Sequence, residues 1–415
     1  MTYDQKNKMK PAFRTFEGGL FAEVEKADVG DGFERLQENG VDMMSWADPF
    51  MPDAAVPQHI KQAALNAMND PIASHYTAPV GNTRLRKQIA KRWRKRYGMD
   101  LDPQRNILIT PGSDSALYFA MLPFIEAGDE VIVCTPCYPN NLQNIQMMGA
   151  KAVCCELMPE DGYQIRGETL EACVSEKTKM IVLTHPNNPT TTVFDRESLE
   201  AVRKTVCRHD LILVVDQAFE DFTFEREMIA PASMEGMFAH TITVCSTSKG
   251  YGLSGYRVGY IIAEDVFMDV YYGCAVSVIG ATNTVSQLAV LAAMEDESFM
   301  QEFEAAYDWR RHQAAEILSG IPGVQIQLPQ SGFLCWVDVS GLADSSEVCA
   351  RLLSDARVSV NDGKNYGPGG ERGFRIVLGV YRDNERVRQA LLRIREVLLQ
   401  MAQEKGLSVR GCSSR

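Results

Sequence analysis

The 415-residue chain has no run of eighteen apolar residues, so no segment is long and apolar enough to cross a bilayer as a helix. Positive charge is scarce: 42 lysines and arginines stand against 54 aspartates and glutamates, a formal net charge of −12. That balance argues against a general nucleic-acid role. There is no internal repeat and no low-complexity linker. Eleven cysteines are present, yet only one pair, Cys134-Thr135-Pro136-Cys137, has the CxxC form. Without a second ligand pair it does not make a zinc site, and no metal is expected. No signal-peptide pattern is visible, so this cysteine content fits a reducing cytosol, and a cytoplasmic protein is expected. Apolar residues make up 45% of the chain, enough for a large core and two domains.

Strands are expected near 107–110, 130–135, 151–157, 179–185, 211–216, 241–246 and 257–263. Helices near 114–125, 140–149 and 195–208 alternate with them. Such alternation marks an α/β domain with a mostly parallel sheet, here of seven strands flanked by helices. After about residue 297 the pattern changes to a long helix near 297–319, a strand over 332–339, a helix near 345–356, a strand near 373–379 and a last helix near 383–403. This reads as a smaller α+β domain, which the N-terminal segment joins. The expected division is 1–51 for that segment, 52–296 for the large domain and 297–415 for the small one. The first ten residues and 408–415 read as loose ends. The basic run Arg84 to Arg96 has helical spacing, with Leu85, Ile89 and Trp93 on one face, so its charges are expected to be the solvated face.

The most informative stretch is Ser246-Thr247-Ser248-Lys249-Gly250-Tyr251-Gly252-Leu253-Ser254-Gly255-Tyr256-Arg257. A lysine amine condenses with an aldehyde. Ser246, Ser248 and Arg257 suit a phosphate monoester, and the glycines let backbone pass close to it. An aldehyde and a phosphate on one small molecule describe pyridoxal 5'-phosphate (PLP). Alone, the run reads more readily as a surface turn with a solvated lysine. Its company changes that reading. Leu211 to Val215 is an apolar run typical of a strand buried on both faces. Asp216 closes it at the carboxyl end, where open α/β sheets bind ligands. A carboxylate buried there needs a partner, and a protonated pyridine nitrogen is one. A second such strand ends in His185-Pro186-Asn187-Asn188-Pro189, where the Asn188 amide suits a ring oxygen. A third runs into Thr110-Pro111-Gly112-Ser113-Asp114, whose helix N-terminus offers N–H groups of Ser113 and Asp114 to an anion. The Asp114 side chain itself reads as a helix cap, since like charges repel. Tyr138, after another strand, suits stacking on a flat ring, though in isolation it reads as a core or rim tyrosine.

Taken together and in this order, the motifs resemble the fold-type I PLP enzymes, and among them the class I/II aminotransferases. The resemblance runs from about Asp42 to the C-terminus. Asp216 lies 28 residues after Asn188, and Lys249 lies 33 after Asp216, as in that family. The resemblance implies the PLP fold type I and a homodimer that binds neither nucleic acid nor membrane. It implies that Lys249 holds the cofactor as a Schiff base. Asp216 would pair with the pyridinium, and Asn188 would contact the ring oxygen. Gly112, Ser113, Asp114, Ser246 and Arg257 would form the phosphate cup, with Tyr138 stacked on the ring. Arg375 would clamp the substrate α-carboxylate, a role that suits its fork, although by itself it reads as a cross-strand ion pair. Tyr76 would reach the phosphate of the neighbouring subunit.

Three positions depart from the family pattern. Phe219 stands where a tyrosine usually bonds the ring oxygen. Thr191 replaces the glycine of the usual Asn-Pro-Thr-Gly turn. Ala47, after Trp46, stands where a glycine commonly lies under the substrate carboxylate. All three fall on the substrate side of the ring, and Trp46, Tyr138 and Phe219 suggest a partly aromatic pocket. The implied reaction is transfer of an amino group between an L-amino acid and a 2-oxo acid. Elimination, replacement or cyclisation on the same cofactor is the alternative, and the substrate itself is not legible.

Overall fold

A computed structural model describes residues 8–10 and 36–407; the expected loose ends at 1–7 and 408–415 lie outside the described residues. Strands are numbered in chain order. β1 (Asp42–Met43) leads into two helices, Gln58–Asn69 and Thr83–Tyr97. Then come β2 (Ile107–Thr110), β3 (Glu130–Thr135), β4 (Lys151–Glu156), β5 (Thr178–Thr184), β6 (Ile212–Asp216), β7 (Thr241–Ser246) and β8 (Gly259–Ile262). These last seven form one sheet in the order β2-β8-β7-β6-β5-β3-β4. Only β8 runs against its neighbours; the other four pairings are parallel. Parallel strands buried on both faces need apolar side chains on both, and Leu213, Val214 and Val215 are fully buried. The chain's polar groups therefore gather at the carboxyl ends, where Asp216 and Ser246 sit.

After helices Asp265–Val278, Thr284–Glu295 and Met300–Leu318 come β9 (Gln325–Ile326), β10 (Leu334–Asp338), β11 (Val358–Ser359), β12 (Asn361–Asp362) and β13 (Gly373–Val377). Four of these make a second, antiparallel sheet ordered β12-β13-β10-β9. Helices Ser345–Ser354 and Asn384–Glu404 complete the C-terminal part. β1 pairs in parallel with β11. Asp42 accepts a hydrogen bond from Arg386 Nε at 2.8 Å and pairs with Arg393, both on the last helix. The chain next to β1 is thus tied to the C-terminal part, and Ser45 to Asp48 pass between the two sheets' residues.

Several expectations change. The helix expected at 114–125 is Ser113–Met121, ending just before Pro123, which restricts the residue ahead of it. Helices Gln58–Asn69, Asp265–Val278 and Thr284–Glu295 were not anticipated. The basic run does form the helix Thr83–Tyr97, capped by the Asn82 side chain and ended by Gly98 at φ 68°. Its charges, however, are not all solvated. Arg92 is buried between Asp221 and Glu297 and pairs with both. Arg96 donates to Asp221 at 3.2 Å and to the Glu220 carbonyl at 2.5 Å. Arg86 is also buried and donates to the Pro103 carbonyl at 2.6 Å. The reason is the acidic pair Glu220-Asp221 just beyond β6, which the helix covers. Cys134 and Cys137 are both buried free thiols, with Cys134 beside Cys155 on the adjacent strand.

Burial pushes the Asp221 carboxyl up, and the adjacent Arg92 guanidinium pulls it back down. Removing one partner of such a pair strands the other charge. Arg92→Ala is expected to lower stability by about 3–5 kcal/mol, read as a lower melting temperature, whereas Arg84→Ala, at the exposed pair with Glu295, changes it by less than about 1 kcal/mol.

Candidate active site

A cavity of about 500 Å³ opens at the carboxyl ends of the parallel strands. β6 delivers Asp216, β7 delivers Ser246, and the turn after β7 delivers Ser248 and Lys249. The start of helix Ser113–Met121 supplies Ser113 and Asp114. The small sheet supplies Asn361 from β12 and Arg375 from β13, and the segment after β1 supplies Ser45, Trp46, Ala47 and Asp48. Of the residues expected from the sequence, Lys249, Ser113, Asp114, Tyr138, Asn188, Asp216, Ser246, Arg257, Arg375, Trp46 and Ala47 line this one space. Gly112 abuts it at φ 90°, a backbone conformation that favours glycine, with the Arg257 guanidinium packed close to its Cα. Tyr76 does not line it and is fully exposed.

Asp216 is buried, and burial raises its carboxyl from 3.8 to about 7, with Asp114 adding to the effect. It accepts a long 3.3 Å bond from the Ala218 N–H. The Asn141 side chain, not anticipated from sequence, partly offsets that shift. Lys249 Nζ donates to the Ala47 carbonyl at 2.6 Å. Burial, with Arg375 next in effect, brings its amine down to about 8. Phe219 lies against it, its ring centre 6.0 Å from Nζ.

Arg375 is buried and makes no ion pair with any described carboxylate, so the cross-strand ion pair does not form. Its fork instead meets neutral oxygens. Nη1 donates to Asn188 Oδ1 at 3.0 Å, and Nη2 donates to the Ser45 carbonyl at 3.1 Å and to Asn361 Oδ1 at 2.7 Å. Arg257, at φ 52°, is half-exposed and lies 3.5 Å from Asp114. The Asp114 side chain does not cap the helix, whose N-cap is Gly112. It accepts from Tyr138 Oη at 2.9 Å and from Asn140 Nδ2 at 3.0 Å. That bond and burial hold the Tyr138 phenol well above its ordinary range. Ser248, which the sequence offers to a phosphate, also lines the cavity. Sequence reading missed Asp48, Ser254 and Asn361. Ser254 sits within the lysine motif, but Asn361 carries no local signal and is placed only by its pairing with Arg375.

The family model for class I and II aminotransferases matches residues 42–394. An aspartate aminotransferase of Musicola paradisiaca is 32% identical over 76% of this chain and 80% of its own. An aspartate/prephenate aminotransferase of Thermus thermophilus is 28% identical over 88% and 93%. The solved structure of an aromatic aminotransferase from Pyrococcus horikoshii superposes with a TM-score of 0.82 at 27% identity, covering 92% of this chain and all of that one. The chain belongs to the class I and II aminotransferase family and is a PLP-dependent aminotransferase of fold type I.

The Asp216 shift has a consequence for the cofactor-free protein. Between about 4 and 7 the folded chain keeps a proton that the unfolded chain has released, so stability falls as pH rises through that window. The cost is full above about pH 7. Cofactor-free Asp216→Asn protein is therefore expected to melt at a higher temperature than cofactor-free wild type at pH 8, and the difference should close by pH 4. An equal melting temperature at pH 8 would mean that Asp216 is not a strained carboxylate.

Proposed function

We propose that this aminotransferase moves an amino group between an L-amino acid and a 2-oxo acid with Lys249 as the amine that carries the cofactor. The observation that carries this reading is one cavity lined by a buried amine, a buried carboxylate and a buried guanidinium, none with a countercharge in bonding contact. Each lacks what PLP or its substrate brings. Asp216 lacks a cation, which a pyridinium N–H supplies. Lys249 lacks a covalent partner, which an aldehyde supplies. Arg375 lacks a carboxylate, which an amino acid supplies. Gly112, Ser113, Ser246 and Arg257 offer the backbone room and donors for a phosphate, and Asn188 has its amide N–H left for a ring oxygen. When bound, the cofactor supplies an electron sink for the substrate α-carbon.

The chain's own residues do the rest. Arg375 orients the substrate by its α-carboxylate. Asp216 keeps the ring nitrogen protonated. The Lys249 amine takes the proton from the substrate α-carbon, and its lowered pKa leaves a usable neutral fraction near physiological pH. Trp46, Ala47 and Phe219 border the space left for the side chain. Borohydride treatment of the holoenzyme is expected to fix the cofactor to the peptide bearing Lys249. Lys249→Ala should lose turnover, and label on another lysine would overturn the assignment. Assays of aspartate, alanine and aromatic donors with 2-oxoglutarate should give oxo acid plus glutamate.

We further propose a two-fold dimer working in the cytoplasm, with Tyr76 reaching the neighbour's phosphate. Leu65, Met68, Ile72 and Tyr76 are exposed apolar side chains close together in the chain, and Val266 and Val270, one turn apart on helix Asp265–Val278, are exposed as well; such side chains suit a second copy. Free cysteines fit a reducing cytosol. Mixing Lys249→Ala with Tyr76→Phe subunits tests the sharing. Hybrid dimers should hold one intact site and regain up to half of the wild-type activity, while neither parent does. No recovery in verified hybrids, despite a strong Tyr76→Phe defect, would refute it.

A further inference from the structure

Arg375 carries a buried positive charge whose hydrogen-bond partners are all neutral oxygens: Asn188 Oδ1, the Ser45 carbonyl and Asn361 Oδ1. Its Nε has no partner at all among the described residues. Beneath it lies the Tyr366 ring, 5.3 Å from the guanidinium carbon, with Trp336 edge-on to that ring at 6.4 Å. The plane of the fork is thus fixed by aromatic packing and amide oxygens, while its charge is left uncompensated.

Asn361 holds the strategic place in this cage. It is the direct cross-strand partner of Arg375 in the β12/β13 pair, lines the cavity, and makes the shortest of the three bonds, 2.7 Å to Nη2. A carboxylate there would fit the same bond and would be the ordinary choice opposite an arginine. The chain carries a carboxylate one residue on, at Asp362, but successive strand residues face opposite sides. Asp362 is occupied there: it accepts from Ser345 Oγ at 2.6 Å and from Ser346 Oγ at 2.5 Å, both on the neighbouring helix, and from the Lys364 N–H at 3.1 Å. The register thus turns the acid away and presents the amide.

We propose that Asn361 is a substrate-positioning residue, which orients the Arg375 fork with a neutral oxygen so that the charge stays available for the substrate carboxylate. The inference rests on the reading of Arg375 as the carboxylate clamp. A structural role alone makes the opposite forecast for one substitution. Asn361→Asp keeps shape and acceptor, strengthens the bond to Arg375 and supplies a competing carboxylate.

The test uses holoenzyme with 2-oxoglutarate and with whichever of L-aspartate, L-phenylalanine or L-alanine turns over fastest. Asn361→Asp should raise KM for the amino acid and for 2-oxoglutarate together, by roughly tenfold or more. Cofactor content should stay the same and the melting temperature should be no lower. Asn361→Ala should raise both KM values by less than Asn361→Asp does. KM values for Asn361→Asp at or below wild type would overturn the proposal, as would a larger effect from alanine. If Asn361→Asp does not fold, Asn361→Ser, which retains a neutral acceptor, must bind better than Asn361→Ala, and the reverse order overturns the idea. Arg375→Lys separates the two readings. Unchanged KM values there sink the clamp itself, whereas raised values beside a harmless Asn361→Asp sink only the role of Asn361.

Discussion

The cost of burying charge organises this protein. Asp216, Lys249 and Arg375 enclose one cavity, and no described group of opposite sign bonds to any of them. Burying an uncompensated charge is expensive, so such groups persist only where the surrounding fold fixes them and a ligand later relieves them. The fold meets the first condition through the sheet. Asp216 ends a strand whose preceding residues are locked between β5 and β7. Lys249 follows β7 at once, so both side chains are set by parallel strand register. Arg375 comes from the other sheet, and its direction depends on amide oxygens and on Tyr366.

A second, largely buried set of charges is joined by ion pairs. Asp221 pairs with Arg92 and Arg96, Glu297 pairs with Arg92, and Tyr251 donates to Glu297. Asp221 packs so closely on Gly250 that a Cβ there would lie 1.8 Å from Oδ2. Gly250 follows Lys249 directly, and Gln217, which follows Asp216, donates to Glu220 at 2.5 Å. The paired network therefore braces both turns that carry the unpaired groups. The contrast is one of energetics: charge is paired in the bracing network and left without a countercharge in the cavity.

The parts legible in the sequence are those with strong local signals. All seven strands of the main sheet were legible; the central ones showed as apolar runs because strands buried on both faces need them, whereas β4 is a half-buried edge strand. Lys249, Asp216 and Arg257 were legible because small and hydroxyl residues at fixed spacing surround them. Helices Asp265–Val278 and Thr284–Glu295 were missed because their sequences are mostly apolar or small, so no polar face breaks the pattern. The basic helix was legible as a helix but not in its burial, since its acidic partners lie about 130 and 205 residues away. Asn361 escaped for the same reason: its meaning depends on a cross-strand neighbour, Arg375, and not on any adjacent residue.

Two of the three departures from the family pattern, Thr191 and Phe219, meet at one segment of the structure. Thr191 takes φ 64°, a region that a β-branched residue rarely adopts and that explains why glycine is the usual occupant. The strain is held by three bonds: its N–H donates to the Asn187 carbonyl at 3.0 Å, its carbonyl accepts from Ser331 Oγ at 2.9 Å, and its Oγ1 accepts from the Gln330 N–H at 3.3 Å. Phe219 meets the same segment from the other side. A Cβ on Gly332 would lie 2.6 Å from its ring, and Phe333 packs edge-on to it at 5.6 Å. Segment 330–333, which feeds β10, is therefore gripped by both substituted positions. A tyrosine at 219 would carry the same ring against Gly332, so the loss of its hydroxyl leaves this packing intact while removing a donor beside Lys249. A glycine at 191 would relax φ but lose the Gln330 contact that its hydroxyl provides. Thr191 and Phe219 thus meet at one segment, Thr191 through hydrogen bonds to Gln330 and Ser331 and Phe219 through ring packing on Gly332 and Phe333.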